Sequence, residues 1–361
     1  MDWFETNNTT FNDLRLSTTP ANLQRLPRTL NTVMTLSYSL LVALGFFGNL
    51  FIIIAILECK KLQSTHNAYV CCLAIANLIV SITLSPYTAW IFANDGWLTN
   101  DRTHNILCEF MGALVTIILG NSLYTQAAIA INRYICILKP AHVYSRLFTK
   151  KSVAFSIVVL WIMPVLIVIP GLLGFGGFGY NHMIGSCLIL DDSPTLIMVL
   201  VVMVIPCSFP CLVIVVFSYL KIILHFRGIT LRVQHRIACA SNTTEMPKEL
   251  NAEISSDHEI TLANDNHQPT SLHTSQLNKK QMTVVLNLCV VFLLFVICWT
   301  PILLLYFLDY HRKVPLWIYR MLFMLSTTDS SVNFFVYVKM NKGFRKTCLL
   351  IVTGKWSQIN Q

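Results

Sequence analysis

The chain has 361 residues, of which 55% are hydrophobic and only 12% charged. A water-soluble domain carries about 25% charged residues, so much of this chain is adapted to a solvent other than water. The formal net charge of +9 would suit a nucleic-acid binder, but its placement along the chain assigns it to membrane orientation and excludes nucleic acid as a partner. A bilayer core is about 30 Å thick, and a helix needs about 20 apolar residues to cross it. In chain order the predicted spans are 32–57, 68–93, 105–138, 152–174, 194–226, 282–308 and 316–339. The sixth is the clearest, with no charge from Val284 to Leu308, whereas polar residues weaken the third and seventh. Each must be helical, because unpaired backbone groups are not tolerated in lipid. The predicted fold is therefore an all-α membrane protein, a seven-helix bundle followed by a short amphipathic helix.

Three segments flank or interrupt the bundle. Residues 1–31 form an N-terminal tail without the basic start and apolar core of a signal peptide, so the first span is expected to direct insertion. Residues 227–281 are rich in Ser, Thr, Asn, His and Gln and are read as a disordered loop, since such a stretch buries too little surface to offset its ordering entropy. Residues 340–361 hold the short helix and a tail.

Lys and Arg stay on the cytoplasmic side. Of the 26 basic residues, 19 fall on the side that holds loops 58–67, 139–151 and 227–281 and the C-terminus. The C-terminus is thus expected inside the cell and the N-terminus outside. The overlapping glycosylation sequons at Asn7 and Asn8 agree, lying in the outer tail, whereas Asn242 falls inside and is expected to stay bare.

Most of the 12 cysteines lie within spans and read as small apolar packing residues. Cys108, at the outer end of the third span, and Cys187, in the following outer loop, both face the oxidising side. They are the expected disulfide, pinning that loop over the mouth of the bundle. Cys348 lies near the inner membrane face, where acylation and a plain surface thiol are both open.

Seven such helices could also form a transporter or channel, but that would call for mid-membrane charges and matching broken halves. A membrane enzyme would call for clustered His, Cys or acids, and no HExxH or paired His occurs. The motifs favour a receptor. Gly48-Asn49, Leu73-Ala-Ile-Ala-Asn77, Cys108, Asn132-Arg133-Tyr134, Trp161, Phe295-Val-Ile-Cys-Trp299-Thr-Pro301, Asn333-Phe-Phe-Val-Tyr337 and Lys342-Gly-Phe-Arg345 follow one another in an order and spacing that resemble the rhodopsin-like (class A) G-protein-coupled receptors. Asn132 in place of an acid resembles the melatonin receptors and also the insect receptors moody and trapped in endoderm; the outer-loop run from Gly174 to Leu190 and the third-span exit from Asn132 to Pro140 resemble the latter group.

The resemblance implies signal transduction to a heterotrimeric G protein from the plasma membrane, with arrestin and receptor kinases as further partners and no catalytic residue, cofactor or metal. In the family, Arg133 acts as a latch that pairs with acids in the off state and meets the G protein in the on state. Here the latch looks weak. Asn132 precedes it, and Gln281 stands beside Lys279 and Lys280 where relatives may offer Glu; amides give no charge-assisted bond. Phe295 and Trp299 above the Pro301 kink are the implied switch, and Tyr337 is the residue that turns inward on activation. Phe334 replaces the usual proline after Asn333, which puts the local helix distortion in doubt. Tyr219 is a candidate inner-end tyrosine of the fifth span, but its spacing from Pro206 and Pro210 does not match the family cleanly.

Asn49, Asn77, Ser122 and Asn333 read as a buried polar cluster. Many relatives bind sodium through an Asp at position 77; the neutral Asn predicts no strong site. Val115 stands where amine receptors carry Asp, so a biogenic amine is not expected. Tyr87, Trp90, Val115, Thr116, Leu119, Ile302, Tyr306, Phe323 and Thr327 give an apolar to neutral pocket suited to a neutral or lipid-like ligand. Ordinary packing would give the same residues.

Overall fold

The computed structural model describes residues 26–94, 102–173, 177–190, 205–241, 271–309, 313–340 and 342–359. The sequons at Asn7, Asn8 and Asn242 lie outside them. The elements are α1 (Arg28–Glu58), a 3-10 turn (Lys60–Leu62), α2 (Thr65–Ile82), α3 (Leu84–Ala93), α4 (Arg102–Leu138), α5 (Ala141–Leu147), α6 (Lys150–Leu172), β1 (Phe178–Asn181), β2 (Ser186–Ile189), α7 (Ile205–Ser241), α8 (Ser271–Leu308), α9 (Leu316–Met340), α10 (Lys342–Val352) and a 3-10 turn (Trp356–Gln358). α1, α2 with α3, α4, α6, α7, α8 and α9 correspond to the seven predicted spans.

Six of these are long and apolar enough to cross a membrane, and the third has the lowest mean hydropathy of them, 1.8. α9 is not among the six; Arg320, Asp329 and Lys339 interrupt its apolar run. Only 17% of the apolar window of α6 is buried within the protein, and Phe155, Leu166 and Leu173 project outward. In water such a face would be costly; in hydrocarbon it is ordinary.

Two expectations need correcting. The second span is not one helix. Thr83 interrupts it with φ −117° and ψ −80°; Pro86 has no N–H for the Ile82 carbonyl, and the Thr83 hydroxyl turns back to the Ile79 carbonyl at 2.6 Å, so the break has an identifiable cause. The loop at 227–281 is also shorter than read. α7 runs on to Ser241 and α8 starts at Ser271, leaving 242–270 outside the described residues. Hydropathy marks where apolar residues stop, not where helix stops, and 227–241 contains no proline and one glycine.

Helix contacts are drawn close by small residues and polar clips. Asn49 Nδ2 donates to the carbonyls of Gly45 and Ser330, both at 2.8 Å, and the Ser331 hydroxyl donates to the Leu41 carbonyl at 3.1 Å. Together they join α1 to α9. A Cβ at Gly48 would stand 2.8 Å from Phe334 Cβ. Phe334 stacks on Phe51 with centroids 5.9 Å apart, and α9 continues through this point as unbroken helix. The aromatic ring that replaces proline is thus seated in a groove that glycine opens on α1. Gly48→Ala should overpack this contact by about 1–3 kcal/mol, lowering the melting temperature of the purified protein. Phe334→Gly, which removes the Cβ that the new methyl would meet, should lose less in combination with Gly48→Ala than the two single losses added; purely additive losses would refute the pairing.

The described residues also contain one antiparallel hairpin, β1 with β2, in the register Phe178 to Ile189 and Asn181 to Ser186. It lies against α4, close enough that a Cβ at Gly112 would stand 2.9 Å from the Leu188 carbonyl oxygen. We call its end of the bundle the hairpin side, and the opposite end the Arg133 side.

Candidate functional site

On the hairpin side, Cys108 of α4 and Cys187 of β2 form a disulfide with their Cα atoms 5.2 Å apart, both fully buried beside Ile91. Asn181 shapes the hairpin turn: its side-chain oxygen accepts from the amides of Met183 and Ile184 at 3.1 and 3.2 Å, and its Nδ2 donates to the Ile189 carbonyl at 2.8 Å. Gly185 takes φ +66° to close the turn. A hydroxyl pair, Thr88 with Ser186 at 2.8 Å, ties the hairpin to α3.

Of the predicted pocket residues, Val115, Leu119, Ile302, Tyr306 and Phe323 share one apolar cluster. Tyr87 packs instead with the disulfide and stacks on Trp90, whose ring is stacked in turn on His104 at 5.5 Å. Thr116 and Thr327 spend their hydroxyls on carbonyls of their own helices, those of Gly112 and Met324. Arg320 is a residue the sequence reading passed over. It is buried, donates from Nη2 to the His182 carbonyl at 3.4 Å, and sits over Phe92 at 5.9 Å. A lone arginine in an apolar span was the available signal.

In the middle of the bundle, Phe295 and Trp299 face each other with ring centroids 6.4 Å apart. Pro301, one turn from Ile297, leaves that carbonyl without its helical donor. Asn49, Asn77, Ser122 and Asn333 are all buried. Asn77 Nδ2, Asn49 Oδ1 and Asn333 Oδ1 have no hydrogen-bond partner. The sequence reading missed Asp329, which lies one turn before Asn333 and is 7% exposed, with Oδ1 buried and unpartnered. Its charge stands in α9 rather than at position 77, which is why a search at that position did not find it. Among the described residues no group of three or more His, Cys, Asp or Glu side chains comes together.

On the Arg133 side, Asn132 is completely buried. Its Nδ2 donates to the Tyr144 hydroxyl at 3.5 Å, and Tyr144 in turn shares a hydrogen bond with Thr65. The amide is therefore directed at α5 and α2 rather than at its neighbour, and its oxygen accepts nothing. Arg133 Nε and Nη2 are buried and donate to no group. Its electrostatic surroundings are neutral or weakly polar: Tyr144, Tyr219, Tyr337 and Cys136, with His66 nearby. Tyr134 packs outward, its ring 6.0 Å from that of Phe217.

Tyr219 resolves its ambiguous spacing here. It is buried, packs 6.4 Å from Phe292, and lines a cavity with Gln126, Phe292 and Tyr337 that has room for about one water. The side chain of Gln281 lies outside the described residues. Beyond α9, α10 lays Phe344, Thr347, Cys348 and Ile351 against the bundle. Burial pushes the Cys348 thiol up to about 11, and a protonated, buried thiol is a poor nucleophile for acylation.

Residues 48–337 match the model of the seven-transmembrane receptors of the rhodopsin family, and the chain belongs to that family, whose members are receptors and not enzymes. It is 24% identical over 318 residues to the melatonin receptor type 1B-B of Danio rerio, covering 86% of this chain and 78% of the relative. To the G-protein coupled receptor moody of Drosophila melanogaster it is 24% identical, covering 92% of this chain but 53% of moody, so it spans about half of that protein's length. Squid rhodopsin superposes with a TM-score of 0.71 at 20% identity, over 92% of this chain and 87% of that one, which supports the fold.

Proposed function

We infer that the chain is a plasma-membrane receptor with its hairpin side outside the cell, and that it passes a ligand signal to a heterotrimeric G protein at the Arg133 side. The observation that carries this reading is Arg133 itself. A cation half-buried near the end of a membrane helix, with Nε and Nη2 out of solvent, is expensive and has a functional default reading. Here neither Nε nor Nη2 is held by a neighbour, leaving them free for a partner that enters between α4, α7 and α8. Arrestin and receptor kinases would dock on the same side. The ligand is neutral and largely apolar, as the cluster around Val115, Ile302 and Phe323 is.

The direction of Asn132 toward Tyr144 supports a weak latch. A carboxylate beside Arg133 would hold it through a partly desolvated ion pair; the amide does not reach it. A deficit on the order of 1 kcal/mol raises the ratio of on to off about fivefold, so signalling without ligand is expected. Asn132→Asp should reduce it, as should Gln281→Glu. The measurement is ligand-independent G-protein activation in transfected cells, normalised to the amount at the surface. Silence of the wild type, or a higher basal signal in the acidic variants, would refute the weak latch. The same cells, given lipid extracts or melatonin (the latter because relatives carry its name), test the ligand.

A further inference from the structure

We propose that the tip of the hairpin, Met183 and Ile184, is a tethered occupant of the ligand pocket and that it sustains the receptor's basal signal. This rests on the receptor reading above. The two residues are the apex of an external-type loop, where side chains ordinarily meet solvent. Instead Met183 is 6% exposed and Ile184 fully buried, in one apolar cluster with Val115, Ile118, Ile302, Tyr319 and Phe323. Those residues come from α4, α8 and α9, the three helices on which the sequence placed the ligand. The tip thus supplies the apolar contacts that a ligand would make.

It is also held in place as a bound ligand would need to be. The Asn181 side chain fixes the amides of both tip residues, the disulfide anchors the strand that follows, and Ser186 is tied to α3. Gly185 allows the closest approach: a Cβ there would meet Arg320 Nε at 3.0 Å and the Phe92 ring at 3.2 Å, in addition to the strain of φ +66°. The tip is thus ordered by bonds within its own hairpin, which lowers the entropic cost of occupancy.

The sign follows from the other end of the bundle. In the arrangement that the tip stabilises, Arg133 Nε and Nη2 donate to no group and Asn132 turns to Tyr144 instead, while Tyr219 and Tyr337, the latter packed on Phe344 of α10, line one cavity. An occupant shifts an equilibrium only by its differential affinity for the two states. Contacts made by Met183 and Ile184 in this arrangement favour it over one in which Arg133 is latched.

The experiment compares basal G-protein activation of the full chain at equal surface amounts, across a panel of G-protein α subunits. The variants are Met183→Ala, Ile184→Ala and Ile184→Val, with Arg133→Ala as the uncoupled reference. The tethered occupant requires basal activity above the reference, a fall of about fivefold in Ile184→Ala, and an intermediate value in Ile184→Val. The graded variant reports even if Ile184→Ala is lost from the surface. An unchanged or raised basal signal in the tip variants overturns the proposal, and so does a wild type no more active than the reference. Capture of the wild-type receptor by nucleotide-free G-protein heterotrimer, absent for Arg133→Ala, is read in parallel. Its failure counts against the receptor reading, whereas its success with unaffected tip variants counts against the tethered occupant alone.

Discussion

Arg133→Ala should abolish G-protein activation, a loss of 100-fold or more, while leaving the receptor at the cell surface in near-normal amount. The expectation of normal folding comes from what the guanidinium does not do. Its Nε and Nη2 make no hydrogen bond, so truncation orphans no partner there, and it removes a partly buried cation whose desolvation opposes folding. The magnitude rests on charge-assisted bonds to the incoming partner, which are roughly twice as strong as neutral ones; losing two at about 1.5–3 kcal/mol each removes two or more decades of affinity. Surface labelling and activation measured on the same cells decide it. Full activation by the variant would place the coupling machinery elsewhere.

The disulfide variants should behave in the opposite way, failing through folding and ligand response. Cys108→Ala and Cys187→Ala are each expected to lose most surface expression or response, and the double variant should be no worse than either. Cross-linking a 79-residue separation constrains the unfolded chain by about 4–5 kcal/mol in the loop-entropy account, and the same bond fixes the strand that carries the hairpin tip's neighbour Ser186. Because one bond is lost in all three variants, the losses are not additive. A double variant with the sum of the single losses would show that each cysteine acts by itself.

Six of the spans were legible because hydrocarbon imposes a single rule, about 20 apolar residues in helical form, that hydropathy measures directly; the seventh, α9, falls short of that rule and was read from its weaker apolar run and its motif. The disulfide was legible because topology left Cys108 and Cys187 as the two clear candidates on one side. Other features depended on tertiary contact. Thr83 breaks α2 from α3 through a local proline, but no hydropathy profile reveals the break. Phe334 raised the question of helix distortion, and the answer lies at Gly48, 286 positions away in the chain. Asn132 could be read as a weak acid substitute, but that its amide turns to Tyr144 required α5 to be placed. Tyr219 failed a spacing rule measured from prolines and was recovered by its position beside Tyr337. The hairpin was invisible because its four-residue strands, with Gly179 inside the first and Gly185 in the turn, are too short to show strand alternation, and with it the burial of Met183 and Ile184. Arg320 and Asp329 were visible as charges in the seventh span, but neither falls within one of its motifs.

The lengths of α7 and α8 have a mechanical consequence. α8 has 38 residues and, at 1.5 Å per residue, is about 57 Å long, nearly twice the thickness of a bilayer core. Its proline lies near one end, at position 301, and its first residue is Ser271. The arm between them measures about 45 Å. One degree of tilt at the proline therefore sweeps the far tip through about 0.8 Å, and a five-degree tilt through about 4 Å. Side chains around Trp299 need shift only by the fraction of an ångström that a well-packed site allows, while the far end of the arm travels the width of a side chain. A gain of this size lets a stiff, tightly filled pocket command a wide opening without having to loosen itself.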